Sequence, residues 1–158
     1  MVQKAIPIRE GDFHPYGQYY RITEGQRAEG PWYESFMTEE AVVSRPLKLG
    51  ITVCENGHTF SVDSMERHLS SEEIQFPGDR PIILSVAASD PAGNPQAEDV
   101  RSFLLEPGDL VVLRRGIWHD ACHCVGEKAM YYFLSLTNGA PEETAWLPVL
   151  PEPVMVEA

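Results

Sequence analysis

Two short stretches of this 158-residue chain carry residue types and spacings that could do chemistry. The first is Glu66-Arg67-His68, with Glu73 following five residues after His68. On an extended segment, positions 66 and 68 share one side. Glu73 is far enough along to come back on the next strand. The second stretch is Gly108-Asp-Leu-Val-Val-Leu-Arg-Arg-Gly-Ile-Trp-His119. It reads as a strand, a tight turn permitted by Gly116, and a histidine delivered to a barrel mouth or interior. Two imidazoles and two carboxylates that meet make a metal site or an acid–base site. The expected catalytic residues are Glu66, His68 and His119. The expected metal ligands are His68, Glu73 and His119, with Glu66 as a fourth ligand or as the general base. Such mixed ligands suit nickel, manganese, iron or zinc; a metal-free site working through hydrogen bonds is the alternative. Arg67, Arg114 and Arg115 are candidates to clamp a substrate carboxylate, although strand alternation does not put all three inside. Trp118 would wall the pocket or anchor the core. If the strand beyond His119 runs unbroken, residues 119, 121 and 123 share a face. His123 would then line the pocket, and Cys122 and Cys124 would point away.

The elements that must position these groups read as β throughout. Proline and glycine punctuate the chain, and period-two or short apolar runs fill the gaps. Leu47, Leu49, Ile51 and Val53 alternate with Lys48, Gly50, Thr52 and Cys54, the pattern of a half-buried strand. Asn56-Gly57 then favours a hairpin turn, and Thr59 to Met65 returns with Phe60 and Val62 on one face. Pro81 to Ala88 is an apolar run suited to a buried strand. Val100 to Leu105, Leu110 to Leu113 and Met130 to Leu136 are further strands. Loops are expected at 23–30, 90–98 and 138–143. The segment 148–158, with three prolines, is expected to lie extended over the surface. One domain over 1–158 is expected, an all-β antiparallel barrel or sandwich.

The spacing of the two stretches resembles the paired motifs of the cupin superfamily. In the first motif Glu66 stands where a histidine is usual, and His68 and Glu73 fill the other two places. In the second, Gly108, Gly116 and His119 match, and Arg114 replaces a proline. The motif's opening glycine is Phe60 here. A narrower resemblance covers roughly residues 6–136. Phe13-His-Pro-Tyr-Gly17, Glu66-Arg-His68, Arg101-Ser-Phe103 and Arg115-Gly-Ile-Trp-His119 occur in the order seen in ureidoglycolate lyases. The chain departs from that family at Leu69, Asp120 and Ala121, and it carries Glu73-Ile-Gln-Phe76 in the segment after His68. The resemblance implies a cupin-like double-stranded β-helix. It also implies a carbon–nitrogen lyase that releases urea from ureidoglycolate and leaves glyoxylate, a reaction of allantoin degradation in purine catabolism. A related enzyme for another small hydroxy or keto acid, a metal-dependent dioxygenase or isomerase, and a non-catalytic cupin-type binding or sensor module are the alternatives.

Composition bounds the partners. A formal net charge of −12 opposes nucleic acid and anionic membranes. A small anionic substrate would need local arginines or a metal cation. No apolar run reaches the length of a membrane span, and the N-terminus lacks the apolar stretch of a signal peptide, so a cytoplasmic location is expected. A homodimer is the default for a strand-edged barrel. Three cysteines fit free thiols better than a disulfide framework. His14 and His58 read as turn or surface residues, and Trp32, Tyr33 and Phe36, together with Pro31, as packing or interface aromatics rather than a cofactor box.

Overall fold

The computed structural model describes residues 2–30, 33–38, 42–43, 47–55, 58–135 and 146–158. The Asn56-Gly57 turn, the 138–143 loop and the Pro31-Trp32 pair lie outside the described residues. The first strands are β1 (Val2–Lys4), β2 (Ile6–Pro7), β3 (Gly17–Arg21), β4 (Gln26–Gly30), β5 (Tyr33–Met37) and β6 (Lys48–Glu55). The middle of the chain supplies β7 (Thr59–Val62), β8 (Ser64–Met65), β9 (Glu73–Pro77) and β10 (Ile82–Ala87). Then come β11 (Arg101–Leu105), β12 (Asp109–Leu113), β13 (Trp118–His119), β14 (His123–Cys124), β15 (Lys128–Ser135), β16 (Leu147–Pro148) and β17 (Val154–Glu157). The expected loop at 23–30 is partly a strand. Its β4 is charged and exposed, so it lacks the alternation that marks a half-buried strand, and among the described residues it pairs with β5 alone.

Three sheets stack. One runs β3-β12-β9-β15-β6. The second runs β13-β10-β11-β2, with β14 also on β10. The third runs β1-β17-β7. Pairing is mostly antiparallel; β1–β17 and β11–β2 are parallel. Between the first two sheets lies one apolar cluster, containing Leu84, Val86, Phe103, Leu105, Val111, Leu113 and Tyr131. The second sheet's other face packs Ile83, Ala87, Val100 and Trp118 against Phe60, Val62, Val154 and Val156. Every residue of β10 is therefore buried, which is why its sequence is apolar on both faces, interrupted only by Ser85, whose hydroxyl lies 2.9 Å from that of Ser102, rather than alternating. The expected surface tail is extended but not superficial. Residues Val154 and Val156 of β17 are fully buried, and β17 is the central strand of the third sheet.

Strand β6 is half-buried as its alternation predicts, but the apolar set faces outward. Leu49, Ile51 and Val53 are 66%, 52% and 51% exposed. The register on β15 explains this. Gly50, Thr52 and Cys54 oppose Phe133, Tyr131 and Ala129, whose face turns into the core. A Cβ on Gly50 would overlap the Phe133 ring. The bulky residues inside come from β15, so the small ones of β6 must meet them.

Candidate functional site

Four acidic and imidazole side chains meet inside the fold because three backbone contacts bring their segments together. Glu66 and His119 form an isolated antiparallel bridge. The Glu66 N–H donates to the His119 carbonyl at 2.9 Å, and the His119 N–H to the Glu66 carbonyl at 2.8 Å. The Gly116 N–H donates to the His68 carbonyl at 2.8 Å. Gly116 has φ of +77°, a conformation that costs an L side chain; this is the turn that sends β13 back toward the site. Glu73 opens β9, opposite Leu113 of β12.

His68, Glu73 and His119 are buried, and Glu66 is partly so. Ligand atoms of Glu66, His68 and His119 all lie within 4.8 Å of one another. His68 Nε2 is 2.7 Å from Glu73 Oε2. His119 Nε2 is 3.8 Å from both Glu66 Oε1 and Glu73 Oε2. His119 Nδ1 lies 3.1 Å from the Ile117 carbonyl. With Nδ1–H donating there, Nε2 presents its lone pair to the acidic cluster. That buried atom has no hydrogen-bond partner among the described residues. An unpartnered imidazole nitrogen facing two carboxylates fits a divalent cation.

The two carboxylates are set apart electrostatically. Burial pushes the Glu66 carboxyl above its ordinary range; His119 and His68 oppose this, and the Glu73 charge adds to it. Burial would also raise Glu73, but His68, His119 and the Gln75 amide outweigh it and hold Glu73 below the ordinary range. One site thus holds two carboxyls whose proton affinities are pushed apart, Glu66 upward and Glu73 downward, the arrangement that separates acid–base from ligand roles.

The other expected site residues are placed elsewhere. The Arg67 guanidinium lies over the Trp118 ring, 4.4 Å from its centroid, and donates to Ser89 Oγ at 3.0 Å. Trp118 anchors the core between the second and third sheets. Arg114 donates to the Pro15 carbonyl at 3.2 Å, and Arg115 pairs with Glu72 at 3.0 Å. His123 stacks on Phe60 with centroids 3.6 Å apart and contacts Asp120 at 3.1 Å. An open hollow of about 520 Å³, lined by Gln18, Val42, Val43, Glu72, Val112, Leu113 and Arg114, contains none of the four clustered side chains.

His123 turns outward because the strand does not run unbroken. On β10, Val86 pairs with His119 and Ile83 with His123. Three steps along β10 match four along its partner, so one residue of 120–122 is extra. A bulge of this kind reverses the facing of everything beyond it. Cys122 and Cys124 therefore point into the inner cluster, contrary to the alternation that puts His123 there.

Two residues not singled out by sequence complete the interior. The Gln75 amide donates to Glu73 Oε1 at 2.7 Å, and the Cys122 thiol donates to Gln75 Oε1 at 2.9 Å. Period two along β9 puts Gln75 on the Glu73 face and could have found it. The bulge hid Cys122.

The sequence pattern of the ureidoglycolate lyase family matches residues 3–157. The chain belongs to the ureidoglycolate lyase family. The match covers both residues of the Glu66–His119 bridge and every residue of the cluster. The fold of this family member is cupin-like, and solved structures share it at low identity. One is the TDP-fucose-3,4-ketoisomerase WlaRA from Campylobacter jejuni. It has a TM-score of 0.52 and 10% identity, covering 80% of this chain and 87% of that one. A 3,4-ketoisomerase from Helicobacter canadensis gives 0.53 and 10%, covering 82% and 91%. The 3,5-epimerase RmlC from Legionella pneumophila Philadelphia 1 gives 0.52 and 10%, covering 77% and 68%. No curated protein sequence matches the chain. No helix among the described residues is long and apolar enough to cross a membrane.

Proposed function

We propose that this ureidoglycolate lyase family member is a carbon–nitrogen lyase that cleaves ureidoglycolate into glyoxylate and urea. The observation that carries the reading is the convergence of Glu66, His68, Glu73 and His119 in one buried cluster. His68, His119 and the ionised Glu73 would hold a divalent cation. Bound there, it would supply positive charge for the substrate's carboxylate and lower the pKa of its hydroxyl. That charge is needed because Arg67, Arg114 and Arg115 have other partners, and two carboxylates in the cluster repel an anionic substrate.

Ureidoglycolate bears a hydroxyl, a carboxylate and a urea nitrogen on one carbon. Cleavage moves one proton from the hydroxyl oxygen to the leaving nitrogen as the carbon–nitrogen bond breaks and the carbonyl forms. The proton count is conserved, so a single carboxyl can take the proton and return it. Glu66 is the group suited to this, since burial raises its proton affinity above that of an ordinary carboxylate and makes it the stronger base of the two. Glu73 keeps its charge and sits against His68. Burial of His119 and His68 keeps bulk water from the leaving nitrogen.

The test is incubation of purified protein with ureidoglycolate, stripped of metal and then reloaded with manganese or nickel, with glyoxylate measured. Glyoxylate release by the reloaded protein, lost together with bound metal in His119→Ala, is expected. An absence of product under every metal condition would overturn the lyase reading. Turnover at the wild-type rate in His119→Ala would overturn the assigned mechanism.

A further inference from the structure

The four-residue chain from Cys122 to His68 crosses the inner layer of the fold, and all its side chains are buried. Cys122 Sγ donates to Gln75 Oε1 at 2.9 Å; Gln75 Nε2 donates to Glu73 Oε1 at 2.7 Å; Glu73 Oε2 lies 2.7 Å from His68 Nε2. The first two links have a direction. An ionised carboxylate only accepts, so the amide must turn its NH₂ toward Glu73. That leaves the amide oxygen facing the other way, where only a donor is tolerated. The thiol of Cys122 is that donor, and burial with the Glu73 charge nearby keeps it protonated. A reversed amide would set an oxygen against a carboxylate and leave two buried polar groups without partners.

We propose that Gln75 and Cys122 are positioning residues: the thiol fixes the amide, the amide fixes one oxygen of Glu73, and the other oxygen is thereby aimed at His68. Neither touches the reacting atoms. Gln75 holds Glu73 from the side away from the imidazoles, which leaves Oε2 for the cluster. The inference deepens the proposed site, but its first test needs neither metal nor turnover. The bulge makes it specific to this chain's geometry, since without the extra residue Cys122 would face the third sheet.

The experiment reads the ring nitrogens of His68 by long-range proton–nitrogen NMR in the metal-free, full-length protein. Compared with wild type are Gln75→Met, which preserves volume without an amide, Cys122→Ala, and Cys122→Ser, which restores a donor. A shift of the His68 ring nitrogens in Gln75→Met and Cys122→Ala, and its reversal in Cys122→Ser, is expected. In parallel, manganese affinity by calorimetry should fall about 10- to 100-fold in the first two variants, the effect usual for a group that orients a metal ligand. Wild-type His68 signals in folded Cys122→Ala would overturn the proposal, as would wild-type signals in Gln75→Met. If Gln75→Met does not fold, the alanine and serine pair at 122 decides alone. A His68 shift in a protein that releases no glyoxylate would uphold the positioning chain and sink only the lyase reading.

Discussion

Glu66 and His119 exchange both backbone hydrogen bonds, at 2.9 and 2.8 Å, while their side-chain atoms Oε1 and Nε2 stay 3.8 Å apart. The backbone fixes the pair, and the side chains are left a gap. A pair held by its backbone, with an imidazole tip that has no hydrogen-bond partner among the described residues, is what a site needs if the tips are to act on something that enters between them.

That relationship makes Glu66 the first residue to test. Its native carboxyl holds its proton more tightly than the ordinary value of 4.5. Below 4.5 it is protonated whether the protein is folded or not, so it contributes nothing to pH dependence. As pH rises through the window from 4.5 to the raised native value, the unfolded chain loses the proton first and the folded state loses stability. Glu66→Gln removes that loss. Metal-free Glu66→Gln is expected to match wild type in urea unfolding at pH 4 and to exceed it at pH 7.5. Its kcat is expected to fall about 10²- to 10⁴-fold, the range for a lost acid–base group. Equal stability at both pH values would contradict the burial of this carboxyl.

Gly116 carries the turn that presents the His68 carbonyl with a donor. A Cβ added there meets no atom within 4 Å, so the cost of Gly116→Ala comes from its φ of +77° alone. The expected loss is about 1–2 kcal/mol, measured by urea denaturation. A loss below a few tenths of that would mean the turn can relax.

Trp118 is fully buried between the second and third sheets, under the Arg67 guanidinium. Trp118→Ala is expected to destabilise by about 3–5 kcal/mol by the same measurement. A small effect would return Trp118 to the rim of the site.

Burial and the neighbouring Cys124 thiol push the Cys54 thiol up to about 11. The thiolate is the reactive form, so alkylation of Cys54 by iodoacetamide at pH 8 should be slower than for an ordinary exposed thiol by on the order of a hundredfold. The rate should climb about tenfold per pH unit up to pH 10. A rate that levels off near pH 9 would show an unperturbed thiol. Peptide mass mapping separates Cys54 from the two buried cysteines.

The cluster was legible in the sequence because strand spacing transmits it directly. Glu66 and His68 are two apart, Glu73 begins the next strand, and Gly116 gives His119 its turn. The residues around it were less so, for two physical reasons. First, a third sheet covers the back of the second, so outward positions such as Trp118 are as apolar and as buried as inward ones. An apolar residue beside His119 therefore says nothing about which side it faces. Second, side-chain volume set the facing of β6: the Phe133 ring required Gly50 opposite it, and the apolar residues Leu49, Ile51 and Val53 went outside. Alternation gave the period of that strand without its phase. The arginines found partners away from the cluster, and Arg114 took the Pro15 carbonyl. Arg115 found Glu72, and Arg67 found an aromatic face.

The single surplus residue between His119 and His123 also governs how this chain may be compared with others. A relative with a regular ladder there would present a different side chain to Gln75, even if both histidines lined up in the text. Aligning such chains column by column would pair an inward residue with an outward one from Ala121 onward. The gap belongs between positions 120 and 122, and wherever it is set determines which residue is thought to be the counterpart of Cys122.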